Sequence, residues 1–203
     1  EFKSVYRIVQ SIFDVLILYF GNDENVLIPD FVEVIDQFSF NKCKQIRRIE
    51  TSINSKLRII KEYAFFKTSV ESIILPQSLI ELKEKWCYDS SNLIEIKVIS
   101  GNPFFASCND VKFLVKKSSI SKENYDILIL SIQNIEIAKI NDDIEIIEPF
   151  AFYNCKKLKN VEFSNKSKLR IIGKFSFYKS NIEKISIPVH VTNIGESAFL
   201  ECE

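Results

Sequence analysis

The chain has 203 residues, 46% of them hydrophobic, and is long enough to bury a sizeable core. Lys plus Arg and Asp plus Glu number 27 each, so no net charge attracts nucleic acid or a membrane surface. The low counts of Gly (4) and Pro (5) exclude fibrous and disordered classes. The apolar early stretch at residues 5–20 contains Arg7 and Asp14, which predicts that this segment does not insert into a membrane.

Seven short strands are predicted in chain order from a recurring motif, apolar-x-x-apolar-x-apolar. Its last two apolar positions are two residues apart, so both side chains lie on one face of a strand. These pairs are Val26/Ile28, Ile49/Thr51, Ile73/Leu75, Ile96/Val98, Ala138/Ile140, Val161/Phe163 and Ile185/Ile187. Pro29, Pro76 and Pro188 follow three of them, at a position where a missing N–H ends the strand at little cost.

A second motif alternates with the first and ends in an aromatic residue. It runs from an aliphatic residue to Phe five positions later, at Ile35/Phe40, Ile60/Phe65, Ile147/Phe152, Ile172/Phe177 and Ile194/Phe199. At Leu82 the pattern departs, with Trp86-Cys87 in place of Ala/Ser-Phe, and we expect local repacking at roughly conserved volume. The repeat length of 20–29 residues is typical of leucine-rich-repeat solenoids. We therefore predict a β-rich α/β solenoid, with short parallel strands stacked in a right-handed superhelix and short helical or 3-10 turns on the other side.

The sequence is also duplicated as a block. A shift of 112 residues aligns residues 40–91 with 152–203 without a gap, with 17 identities in 52 positions. The whole chain, 1–203, is predicted to be one solenoid that is truncated at both ends. Residues 99–134 interrupt the regular pattern and are predicted to form an inserted hairpin-like unit. This unit is either a protruding recognition loop or a spacer between two repeat blocks.

The repeats resemble the BspA-like leucine-rich repeats. The resemblance rests on the segments Lys168–Gly173, Phe175–Phe177, Ile185–Pro188 and Ile194–Cys202, and on Asn102–Phe105 and Glu123–Ile129 for the form found in parasitic protists. It covers nearly the whole chain and implies a surface antigen or adhesin that contacts a host or extracellular protein. It likewise implies a location at the cell surface or outside the cell, although an intracellular location stays open.

The residues that could carry chemistry do not form a site in the sequence. His190 follows Pro188 and lacks an oriented partner at a recognisable spacing, and Asp142-Asp143 sits in a turn without further carboxylates. Stacking places Cys43, Cys155 and Cys202 too far apart for disulfides, so they are predicted to be small buried residues, while Cys108 is a candidate exposed thiol. Asn165-Lys166-Ser167 is a glycosylation triplet that matters only in a secreted protein. We predict no catalytic residue, no cofactor and no metal.

The remaining candidate is the outward face of the predicted sheet. Its residues are Arg48, Glu50, Ser72, Ile74, Glu95, Lys97, Ile137, Lys139, Asn160, Glu162, Lys184 and Ser186. The set mixes charges with two apolar points, which favours a protein partner over nucleic acid. The charges could instead be cross-strand pairs that only keep the sheet soluble. Two other functions stay open: an intracellular leucine-rich-repeat scaffold, and a polysaccharide-active enzyme on a β-solenoid.

Overall fold

The computed structural model describes residues 6–10, 14–108, 110 and 112–202. The chain divides into two units, Glu1–Pro103 and Phe104–Glu203. The strands of the first unit are β1 (Tyr6–Gln10), β2 (Asp14–Tyr19), β3 (Asn25–Leu27), β4 (Val34–Ile35), β5 (Arg48–Glu50), β6 (Ile59–Ile60), β7 (Ser72–Leu75), β8 (Glu81–Leu82) and β9 (Glu95–Val98).

The strands of the first unit form two parallel stacks. One contains β3, β5, β7 and β9; the other contains β2, β4, β6 and β8, and β1 pairs antiparallel with β2. The chain alternates between the two stacks and advances by one strand in each per repeat. This is a β-solenoid, and the alternating motifs of the sequence are its two strand sets.

The strands of the second unit are β10 (Phe105–Cys108), β11 (Phe113–Lys116), β12 (Ile127–Ser131), β13 (Ile137–Lys139), β14 (Ile146–Ile147), β15 (Asn160–Glu162), β16 (Ile171–Ile172), β17 (Lys184–Ile185) and β18 (Asn193–Ile194). Strands β13, β15 and β17 form one parallel stack, and β12, β14, β16 and β18 form the other. Strands β13 to β16 lie 112 residues after β3 to β6, so the duplicated sequence builds duplicated coils.

Each unit buries the apolar residues between its two stacks. Val26, Ile49, Ile73 and Ile96 are at most 2% exposed, as the alternation in the first motif predicts. The Phe residues of the second motif form ring stacks along the core, in which neighbouring coils contribute successive rings. Phe40 stacks on Phe65 with ring centroids 4.9 Å apart, and Phe152 stacks on Phe177 at 4.8 Å. The five-residue spacing from aliphatic residue to Phe therefore carries each coil from the second strand stack into this aromatic core.

The repeat with Trp86-Cys87 keeps the fold. Trp86 is 3% exposed and Cys87 is 8% exposed, so both side chains are buried. The indole packs edge-on against Phe65, with centroids 5.9 Å apart. Strand β9 pairs with β7 after this repeat, in register over four residues.

The turns differ from the prediction of short helical or 3-10 segments. Among the described residues, the side opposite the first stack consists of two-residue strands and hydrogen-bonded turns, with no helix. Each turn contains two non-glycine residues at positive φ, four positions apart, such as Phe38 at 58° and Lys42 at 57°. A right-handed helix requires negative φ, so these residues prevent helical turns from forming.

Within residues 99–134, β10, β11 and β12 pair antiparallel, and β12 also pairs parallel with β14. The boundary between the two units falls inside this stretch, and Val111, part of the predicted first apolar run, lies outside the described residues. The loop from β11 to β12 is held by Asp126, which accepts hydrogen bonds from the Ser118 amide (2.7 Å) and hydroxyl (2.6 Å) and pairs with Lys122 at 3.1 Å. That residues 99–134 are a single inserted unit stays a prediction.

Candidate functional site

In the first unit, the outward residues of the β3, β5, β7 and β9 stack form two columns. The parallel register aligns Asn25, Arg48, Ser72 and Glu95 in one column, and Leu27, Glu50, Ile74 and Lys97 in the other. Adjacent strands lie about 4.8 Å apart, so each column spans roughly 15 Å. We call these two columns the first sheet face. Six of the predicted site residues lie together on it.

Hydrogen bonds and ion pairs link several side chains of the first sheet face. The Ser72 hydroxyl donates to Glu95 at 2.6 Å, and Arg48 pairs with Glu50 at 3.3 Å. Beside the face, Arg47 pairs with Glu71 at 3.3 Å. Ser72 is only 6% exposed, so it links strands and offers little contact area to a partner. Exposed pairs of this kind contribute about 0–1 kcal/mol to stability, which leaves their exchange for intermolecular contacts inexpensive.

Apolar side chains interrupt these charges on the first sheet face. Leu27 is 56% exposed and Ile74 is half-buried, and both belong to the column that ends at the exposed Lys97. Leu27 and Asn25 are absent from the residues predicted from the sequence. The alternation that places Val26 and Ile28 in the core could have found both, because the residues on either side of Val26 must face outward.

The second unit carries an equivalent face on β13, β15 and β17. Its columns begin with Ile137 and Asn160, followed by Lys184, and with Lys139 and Glu162, in the register of the parallel ladder. Lys139 pairs with Glu162 at 3.8 Å, and the Asn160 amide donates to the same carboxylate at 3.2 Å. Ile137 is 49% exposed. Ser186 lies just beyond the end of β17 and is exposed. We call these residues the second sheet face.

An aromatic surface at the turns was not found from the sequence. In the first unit, Phe38 stacks on Tyr63 with centroids 5.4 Å apart and planes 2° apart, and Phe66 stacks on Tyr88 at 6.1 Å. In the second unit, Phe150 stacks on Phe175 at 5.4 Å. Phe38, Tyr63, Phe150 and Phe175 have φ between 54° and 63°. The aromatic residue two positions before each core Phe is the sequence signal for these columns.

Groups that could perform chemistry lie apart from one another. Asp142 accepts a hydrogen bond from the Ser164 hydroxyl, and Asp143 pairs with Lys168 at 2.6 Å. Within the described part of the chain, His, Cys, Asp and Glu form no group of three that could hold a metal ion. The described residues also include no helix long and apolar enough to cross a membrane.

The cysteine thiols are free in the structure and differ in burial. Cys87 and Cys155 are buried, as predicted for Cys155, whereas Cys43 and Cys202 are half-buried. Cys108 is half-buried and not the exposed thiol that the sequence suggests, because it lies in β10, which pairs with β11. Burial raises the pKa of the Cys108 thiol to about 11 and that of Cys155 to about 12. Both are therefore poor nucleophiles at neutral pH, where the thiolate is scarce.

The stacked strands, the buried rings and the outward columns define a leucine-rich-repeat solenoid. The BspA-type leucine-rich-repeat region matches residues 18–126 and 119–203, in six copies. The chain belongs to this family, as the resemblance in the sequence predicts. No protein of curated function is significantly similar in sequence.

Three solved structures are similar in fold. The pneumococcal vaccine antigen PcpA superposes with a TM-score of 0.73 at 24% identity, over 85% of this chain and 47% of PcpA. A leucine-rich cell surface protein from Faecalibacterium prausnitzii gives 0.63 at 20% identity, over 89% and 52%. A leucine-rich-repeat protein from Eubacterium ventriosum gives 0.60 at 17% identity, over 89% and 61%. The chain thus spans about half the length of these proteins, and the likeness extends to the fold.

Proposed function

We propose that this chain is a non-catalytic, protein-binding segment of a cell-surface protein, an antigen or adhesin, that contacts a host or extracellular protein through its sheet faces. The observation that carries the proposal is the exposed apolar side chain of Ile137, together with Ile74, in the middle of faces otherwise made of weak, exposed ion pairs. Interfaces place such apolar residues at the centre and the polar ones at the rim. The family and the cell-surface proteins of similar fold support the same function.

The faces favour protein over other partners because their charges alternate in sign. In the first sheet face Arg48 lies beside Glu50, and in the second Lys139 lies beside Glu162. A surface for nucleic acid would instead present a stripe of Lys and Arg. Ion pairs that are only partly buried can be exchanged for pairs with a protein partner at little cost.

The binding proposal is tested with two charged substitutions. Ile74→Lys and Ile137→Lys, each made alone, would place an ammonium group at the apolar point of one face. Ile53→Lys is the matched control, because Ile53 is 65% exposed and lies in a turn outside both faces. Binding to immobilised extracellular matrix proteins and to intact host cells is measured by interferometry and by flow cytometry. We expect a loss of about tenfold or more in affinity for at least one face variant, since a central apolar contact contributes about 1–2 kcal/mol or more, and none for the control.

The result that contradicts this proposal is equal binding by the wild type and all three variants, or the absence of wild-type binding to every surface tested. The cellular location is tested separately, by antibody labelling of the cells that produce the protein. Signal on intact cells is expected. Signal that requires permeabilisation would favour the intracellular scaffold.

A further inference from the structure

A cleft of about 560 Å³ lies in the second unit, away from its sheet face, between the turns that precede β16 and β18. Lys166, Lys168 and Arg170 line it from one coil, and Val189, His190 and Thr192 line it from the next. Its size is in the range of pockets that hold small organic ligands and exceeds the needs of a single ion. The lining is polar apart from Val189, unlike the mainly apolar lining of most such pockets.

The cleft concentrates positive charge in a protein whose net charge is zero. Lys168 is paired with Asp143 at 2.6 Å. Lys166 and Arg170 are exposed, and neither is within ion-pair distance of a carboxylate in the part of the chain that the structure describes. The cleft therefore offers two uncompensated cations and one partly compensated one. Arg binds oxyanions through two parallel N–H donors, and Lys binds them as a point charge.

The duplicated coil of the first unit indicates that the fold does not need these cations. At the equivalent positions, 112 residues earlier, Asn54 replaces Lys166, Ser78 replaces His190, and Glu81 replaces Asn193. The strands of both coils pair in the same register, β6 with β8 and β16 with β18. Asn to Lys and Glu to Asn each add one positive charge, so the second copy is more positive by two, not counting His190.

The two copies also differ in how the turn is closed. In the first unit, the Ser78 hydroxyl donates to the carbonyl oxygens of Ser55 at 2.7 Å and Leu57 at 2.8 Å, which ties the two coils together. In the second unit His190 takes this position and is exposed to solvent at the edge of the cleft. A hydroxyl that serves the backbone has thus been exchanged for an imidazole available to a ligand.

We propose that this cleft binds an acidic saccharide through a sulfate or carboxylate group held by Lys166 and Arg170, with His190 as a further donor. The positive charge selects the oxyanion, and the polar, open cleft of ligand size accommodates the attached sugar. The site is separate from the sheet faces and does not depend on their function.

The test compares three probes and two variants by isothermal titration calorimetry at low salt. The probes are 3′-sulfolactose, lactose and sodium sulfate. The cleft variant, Lys166→Asn with His190→Ser, copies residues that the first unit already accommodates in the same coil, so it is expected to fold. The charge-matched control is Lys156→Asn, which removes an exposed Lys outside the cleft.

The wild type and the control are expected to bind 3′-sulfolactose at least tenfold more tightly than either other probe, and the cleft variant is expected to lose at least tenfold of that affinity. Equal affinity for 3′-sulfolactose and lactose, or a cleft variant that binds like the wild type while keeping the wild-type melting temperature, would overturn the proposal. Sodium sulfate binding as tightly as 3′-sulfolactose would overturn the saccharide part and leave a site for the free ion.

Discussion

Truncation of one ring in the aromatic core tests how much of the stability of a solenoid unit comes from coil-to-coil stacking. Phe152 is 0% exposed and stacks on Phe177 at 4.8 Å, and it contacts Phe113 edge-on at 6.0 Å. Phe152→Ala removes this apolar contact and leaves a cavity between coils that are fixed by their strand ladders. The expected cost is about 3–5 kcal/mol. This is a large part of the roughly 5–15 kcal/mol by which domains are stable.

The assay is urea unfolding at 25 °C, followed by far-UV circular dichroism. Phe175→Ala is the matched control, since Phe175 lies in the same unit and stacks on Phe150 at 5.4 Å, but is half-buried at the surface. The control is expected to lose about 1 kcal/mol, the contribution of an exposed aromatic pair. If Phe152→Ala costs no more than Phe175→Ala, the stacked core rings do not carry the stability assigned to them.

Three further predictions follow from local geometry. Gly173→Ala is expected to lower the midpoint of urea unfolding by an amount equivalent to about 1–3 kcal/mol, because a Cβ there would lie 2.5 Å from the backbone nitrogen of Pro149; an unchanged midpoint would contradict this. Lys42→Gly is expected to stabilise by up to about 1 kcal/mol in thermal melts, since φ is 57° at this exposed residue, whereas Lys44→Gly is expected to destabilise. The alkylation rate of Cys108 by iodoacetamide, in a variant without other cysteines, is expected to rise about tenfold per pH unit from pH 8 to 10, because its pKa is raised to about 11 by burial; a plateau near pH 9 would refute the burial.

The strands and the core follow from sequence patterns because both depend on burial. A residue such as Ile49 must face inward if the coil is to bury anything, so the two-residue alternation predicts the strand and its inward face together. The same logic places Arg48 and Glu50 outward. The 112-residue repeat then predicts equivalent coils, and β13 to β16 follow β3 to β6 at that distance.

The turns and the charge network could not be predicted in the same way. Left-handed φ is usually signalled by glycine, but this chain has 4 glycines and places Phe38 and Lys42 in that conformation. The cleft brings Lys166 and His190 together across two coils, and neither residue stands out in the sequence alone. The ion pair of Lys122 with Glu145, at 2.8 Å, depends on a loop whose course is set by the buried Asp126.

The central claim, recognition of a protein through the sheet faces, is tested most directly by site-specific photocrosslinking on intact cells. A benzophenone amino acid is placed at Ile74, or at Ile53 as the exposed position outside the face. The protein is irradiated on surface-biotinylated host cells. A discrete biotinylated adduct from position 74, and none from position 53, is expected. Adducts from position 53 alone, or from neither position, would contradict binding through the first sheet face.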